Sequence, residues 1–115
     1  MNDNMTIFNK IVRDRIPSII EQSNKKVIYF QHPDNKDFDL ELMKKVDEEL
    51  NEFMDEWKEN NEAGMVNELA DILEVFFTIL DRNNIKYSEV EKEMLRKRKY
   101  IGGFKKRIFL IKAEQ

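Results

Sequence analysis

The stretch ELMKKVDEELNEFMDEWKENNEAGMVNELADILEVFFTILD, residues 41–81, decides the fold. In its first half Met43, Val46, Leu50, Phe53 and Trp57 recur at alternating spacings of 3 and 4, the seam of an amphipathic helix. That period predicts a long helix over residues 37–59. Asn60, Asn61 and Gly64 act as stop signals, and a second long helix is predicted over residues 65–81. Its later half, with Leu73, Val75, Phe76, Phe77, Ile79 and Leu80, is apolar on nearly every side. A helix of that kind is buried from several directions, which in a short chain points to contact between subunits.

The same stretch carries two acidic pairs. Glu49 and Glu52 are three apart, Glu68 and Asp71 are three apart, and residues 53–67 separate the pairs. Positions three apart share a helix face, with about 5–6 Å between Cβ atoms. Two such helices packed antiparallel can aim four carboxylates at one place, and such a group needs a counter-charge. Hard cations that take oxygen ligands, Mg²⁺ or Mn²⁺, suit this donor set, and Mg²⁺ commonly serves chemistry on phosphates. Glu48, Asp55 and Glu74 extend the acidic face. The competing reading is a solvated helix face, because glutamate is a good helix former. The apolar surroundings of Glu68 and Asp71 argue for partial burial, and buried carboxylates need partners or metals.

Outward from this centre the signals are shorter. Residues 1–9 read as a polar lead-in. Residues 14–23 predict a short helix with Ile16, Ile19 and Ile20 on one face and Pro17 in its first turn. Residues 27–31 are β-branched and aromatic and predict a strand, followed by a turn at His32, Pro33, Asp34 and Asn35. Asn83 and Asn84 end the second long helix. A third runs from Ser88, read as an N-cap with Glu91 completing a capping box, to about Lys99. Gly102 and Gly103 stop it, and residues 104–111 predict a terminal strand to pair with residues 27–31. The expected fold is therefore all-α: a helical bundle with a small two-stranded β element, oligomeric, in one domain over residues 1–115.

Composition narrows the chemistry. Cysteine is absent, which excludes a disulfide framework and a thiolate metal site and suits a reducing cytoplasm. No apolar run is long enough to span a bilayer, and residues 1–10 lack the pattern of a signal peptide. His32 is the only histidine, so no histidine triad or zinc site can be built. No glycine-rich phosphate loop is present. Charge is segregated: residues 37–74 hold 14 acidic and 3 basic residues, a net of −11, whereas residues 92–107 hold 8 basic and one acidic, a net of +7. An acidic metal region and a basic region for an anion fit that division.

The order Glu48-Glu49-Leu50-Asn51-Glu52, then Glu68-Leu69-Ala70-Asp71-Ile72-Leu73-Glu74, resembles the signature of the all-α nucleotide pyrophosphohydrolases. That superfamily includes the MazG proteins, phosphoribosyl-ATP pyrophosphohydrolase and the dimeric dUTPases. Its motif is Glu-x-x-Glu, a spacer, then Glu-x-x-Asp. Asn9-Lys10-Ile11-Val12-Arg13-Asp14-Arg15-Ile16-Pro17 resembles the Asn-Lys-Leu-Val-Arg-Asp-Lys-Ile-Pro opening of a MazG-like subgroup. Gly102-Gly103-Phe104 with Arg107-Ile108-Phe109-Leu110 resembles its end. The likeness spans nearly the whole chain. It departs where Tyr100-Ile101 stand in place of the subgroup's Lys-Arg, leaving Arg98 or Lys99 as substitutes.

The resemblance implies a helical homodimer or homotetramer that cleaves between the α and β phosphates of a nucleoside triphosphate or related nucleotide. Mg²⁺, or Mn²⁺, would be the cofactor, and a nucleoside monophosphate and pyrophosphate the products. On this likeness Glu49, Glu52, Glu68 and Asp71 are metal ligands, and Glu48 orients water or supports a ligand, so that Glu48, Glu49 and Glu52 make up the catalytic set. Lys10, Arg13 and Arg96 are the candidates for the triphosphate, arginine being suited to bidentate contacts; the alternative is that they are solvated or pair with the acidic helices. Trp57 and Tyr29 can stack on a base, although Trp57 falls on the helical seam. Two rivals remain. One is a nucleotide sensor of the same fold with weak catalysis. The other is a nucleic-acid binder using residues 92–107, disfavoured because Tyr100 is the sole aromatic within that segment besides Phe104, and the acidic remainder repels the backbone.

Overall fold

The computed structural model of the chain describes residues 4–115 and contains four helices: α1 (Ile16–Gln22), α2 (Lys36–Lys58), α3 (Glu62–Arg82) and α4 (Tyr87–Ile101). The start of the expected lead-in, residues 1–3, lies outside the described residues. The helices fall where the apolar periods place them. Their ends are set by local chemistry that the periods do not carry.

Asn35 caps α2, its side-chain oxygen accepting the Asp37 N–H at 2.9 Å, and Asp37 and Asp39 favour the positive end of the helix dipole. Asn60 closes α2 in the left-handed region, with φ 55°, where asparagine is tolerated better than most side chains. Asn61 then opens α3. Its Oδ1 accepts the Gly64 N–H at 3.1 Å, and its Nδ2 donates to Glu56 Oε2 at 2.7 Å. The helix therefore begins at Glu62, three residues before the expected start, and Gly64 lies inside its first turn rather than ending α2. A Cβ at Gly64 would run into the Glu56 carboxylate, so glycine keeps this corner tight.

The chain forms two compact units, Met1–Phe76 and Phe77–Gln115, the boundary falling inside α3. In the first, Leu42 is buried (4% exposed) together with Glu49. The expected seam of α2 is not a core seam: Val46 and Phe53 are half-buried, but Met43, Leu50 and Trp57 are exposed, as are Val66, Leu69 and Leu73 on α3. In the second unit, Leu80 is buried (5% exposed) and Phe77 meets Tyr87 with ring centroids 5.4 Å apart. Asn84 (φ 54°) and the Ile85 N–H bond to Leu80 C=O at 3.0 Å turn the chain from α3 into α4. The N-cap of α4 is Lys86, with no side-chain cap bond, so Ser88 does not form the expected capping box. Gly102, with φ 86°, ends α4 in a conformation that favours glycine.

No strand forms among the described residues, which corrects the expected two-stranded element. Residues 27–31 and 104–111 have strand-like composition, but an isolated pair of strands is at best marginal in water and needs a further layer to hold it. His32 lies with its ring 4.7 Å from that of Phe30 and 6.2 Å from that of Phe38, centroid to centroid. No helix among the described residues is long and apolar enough to cross a membrane.

Because Asn61 both caps α3 and ties down Glu56, Asn61→Ala should lower stability by about 1–2 kcal/mol. The check is a shift of the urea midpoint at unchanged slope, with Asn61→Asp, which keeps the cap acceptor, losing less.

Candidate active site

The site is built where α2 and α3 of the first unit present carboxylates to one another. A spacing of three puts Glu68 and Asp71 on one face of α3, and the turn at Asn60-Asn61 returns that face toward Glu49 on α2. One oxygen from each of Glu49, Glu68 and Asp71 lies within 4.8 Å of the others. Glu49 is only 5% exposed, and Asp71 keeps about a third of its side chain in solvent. Neither Glu49 Oε2 nor Glu68 Oε2, both buried, accepts a hydrogen bond from a protein donor.

The electrostatics follow from that crowding. Burial pushes the Glu68 carboxyl up, and hydrogen bonds shared with Glu49 and Glu52 together with their charges carry it to about 7. Burial also raises Glu49, helped by the charges of Glu52 and Asp71 and opposed by its hydrogen bond with Glu68 and by Lys45. The inner oxygens of Glu49 and Glu68 are buried, and the raised pKa of Glu68 favours a proton there at mildly acidic pH. Two ionised carboxylates cannot share such a place without a positive charge.

Cations surround the group but do not fill it. Lys45, only 16% exposed at its side chain, approaches Glu48 Oε2 at 3.1 Å and Glu49 Oε1 at 3.5 Å. Lys10 donates to Glu48 Oε1 at 2.7 Å, which holds its own pKa up. Burial pushes the Glu48 carboxyl upward, but the bonds from Lys10 and Lys45 outweigh it and leave Glu48 below the ordinary carboxylate value. Arg13 Nη2 donates to Asp71 Oδ1 at 2.8 Å.

Of the residues singled out from sequence, Glu49, Glu68, Asp71, Glu48, Lys10 and Arg13 therefore come together. Glu52 is exposed and outside the group of three, yet close enough to bond to and charge Glu68. Arg96 belongs to the second unit and is paired with Glu93 one turn earlier on α4. Lys45 was missed. Its signal was its place three and four residues before Glu48 and Glu49, where a lysine on the same helix face meets both. Two surface depressions, about 450 Å³ around Leu40 and Lys44 and about 550 Å³ around Phe77 and Tyr87, include none of the clustered carboxylates.

Three converging carboxylate oxygens, in a group where Glu49 Oε2 and Glu68 Oε2 are buried with no protein donor, form a donor set that fits a hard divalent cation. Helices carrying Glu-x-x-Glu and Glu-x-x-Asp around such a set are the pattern expected of a helical nucleotide pyrophosphohydrolase. The family model described as phosphoribosyl-ATP pyrophosphohydrolase matches residues 8–98, across both units, and the chain belongs to that family of hydrolases acting on phosphoric anhydrides. The phosphoribosyl-ATP pyrophosphatase of Clostridium acetobutylicum is 27% identical over 100 residues, covering 87% of this chain and 86% of the relative. No solved structure matches the chain.

The raised pKa of Glu68 gives the site a pH signature. Glu68 rises from its ordinary 4.5 to about 7 in the folded chain, so the folded state binds the extra proton between those values. The stabilisation is complete below the lower value and is lost as pH rises through about 7. The melting temperature of metal-free protein should therefore fall as pH is raised across this window, and Glu68→Gln should flatten the fall. A wild-type melting temperature that climbs over the same window contradicts the assignment.

Proposed function

We propose that the chain is a Mg²⁺-dependent pyrophosphohydrolase, with Mn²⁺ as a substitute, that cleaves a nucleotide bearing a triphosphate between its α and β phosphates. A nucleoside monophosphate, or its phosphoribosyl derivative, and pyrophosphate leave. The observation that carries the reading is the convergence of Glu49, Glu68 and Asp71 with two buried oxygens left without protein donors. The family match supports the reaction class. The relative's name supports phosphoribosyl-ATP as the first substrate to try.

In this reading Glu49, Glu68 and Asp71 would hold the cation, with Glu52 as a further candidate ligand from the next turn of α2. When bound there, such a cation would supply polarisation of phosphoryl oxygens and a lowered pKa for water. Glu52, exposed at the edge of the group, accepts the proton of the attacking water. Glu48 acts one step back: tied to Lys10 and Lys45, it fixes two positive charges beside the group. Lys10 and Arg13 face the anionic substrate, and Arg96 of the second unit is a third candidate for it. The family match running through both units supports their working as one domain.

The test is a panel of phosphoribosyl-ATP and the common ribo- and deoxyribonucleoside triphosphates with Mg²⁺, reading pyrophosphate against orthophosphate. Pyrophosphate should appear, and Glu68→Gln and Asp71→Asn should each reduce turnover by about a hundredfold or more, the scale of removing one group that acts on transition-state charge. Orthophosphate as the product, or nucleotide binding without turnover, would replace the enzyme with another hydrolase or with a sensor.

The same reading includes self-association in a cytoplasmic homodimer or homotetramer. Met43, Leu50 and Trp57 on α2 and Val66, Leu69 and Leu73 on α3 form exposed apolar stripes, with Trp57 at 63% and Leu73 at 52%. Stripes of this kind mark interfaces, and a short chain with so few buried residues gains from one. Light scattering should give two or four times the 13.9 kDa chain mass, and Leu73→Lys should lower that value. A single-chain mass for the wild type would remove oligomerisation from the reading.

A further inference from the structure

Lys10 and Arg13 sit three residues apart on a segment without helix or strand, yet each reaches a carboxylate far along the chain. Lys10 meets Glu48, 38 residues on, and Arg13 meets Asp71, 58 residues on. The two pairs differ in their targets. Glu48 lies outside the converging group, already shared with Lys45, whereas Asp71 supplies one of its three oxygens. The Arg13 guanidinium thus stands at the rim of the group and contributes positive charge that its carboxylates lack. Its side chain is 55% exposed, so it is held by the ion pair and not by packing.

We propose that Arg13 is a counter-ion latch: it neutralises Asp71 until a divalent cation enters the carboxylate group, and is then handed to the anionic substrate. This rests on the reading of the site given above. An exposed ion pair contributes at most about 1 kcal/mol, so little opposes its displacement by a cation. The Lys10–Glu48 pair is not displaced and keeps the segment at the site while Arg13 changes partner. The freed guanidinium, a planar fork of donors, matches phosphate oxygens. By reciprocity, whatever Arg13 contributes to the cation-free state it takes from cation affinity.

A latch and a plain staple between α3 and the segment predict opposite signs. Mn²⁺ binding is followed by electron paramagnetic resonance, without nucleotide, for wild type, Arg13→Gln and Arg13→Lys, and KM and kcat are measured with the best triphosphate of the panel. Arg13→Gln should bind Mn²⁺ more tightly, by up to about fivefold, while its KM rises about tenfold and kcat changes less. Arg13→Lys, which keeps the charge, should hold Mn²⁺ near the wild-type affinity and still raise KM. Mn²⁺ binding that is weakened or unmoved in Arg13→Gln, or tightened equally in Arg13→Lys, overturns the latch and leaves the metal reading standing. Absence of saturable Mn²⁺ binding in the wild type overturns both.

Discussion

Repulsion among carboxylates governs this structure. Glu49 is nearly buried, Glu68 turns an oxygen inward, and Asp71 joins them within 4.8 Å. Such a group stands only if something offsets its charge. In the chain by itself the offset comes from the raised proton affinity of Glu68, the half-sequestered ammonium of Lys45 and the guanidinium of Arg13. None is an ideal partner. A proton is lost near neutrality, a lysine tied to two glutamates is divided between them, and an exposed arginine is screened by solvent. The arrangement is stable enough to fold and poor enough as a final state to leave a reason for a stronger cation to bind.

That tension sits in a chain with little apolar interior. Among the described residues Leu42 and Leu80 are the buried hydrophobic ones, one in each compact unit, and large side chains on α2 and α3 face outward. The charged group and the exposed stripes occupy different faces of the same two helices. A partner surface laid on the stripes need not cover the carboxylates, so assembly and catalysis can share α2 and α3 without competing for them.

The helices were legible because their signal is local. A spacing of 3 and 4 between apolar residues survives whatever packs against it, and all four helices lie within a few residues of expectation. The partial burial of Glu68 and Asp71 was legible for a related reason, since acidic residues embedded in an apolar helix have few places to go; the burial of Glu49, on the acidic α2, was not. Helix ends were less so: Asn61 serves α3 rather than closing α2, and Ser88 yields its capping role to Lys86, because a cap depends on backbone angles that composition only biases. The two expected strands do not form because strand pairing is decided by a partner and not by the segment. The likeness of residues 9–17 to a known motif singled out Arg13 and Lys10, but no local pattern could reveal which carboxylates, 58 and 38 residues away, they would meet. Lys45 went unnoticed because one lysine among acidic residues on a helix is ordinary until its burial is seen.

The left-handed residues at the exits of α1, α2 and α3 are asparagines: Asn24, Asn60 and Asn84, with φ between 54° and 60°. Glycine would adopt the same angles with less strain, but it would also widen the range of conformations open to the disordered chain. A side chain at these positions narrows that range, and the advantage belongs to the denatured ensemble rather than to any contact in the folded one. In a chain that hides so little apolar surface, part of what favours folding lies in how few alternatives the unfolded polypeptide retains.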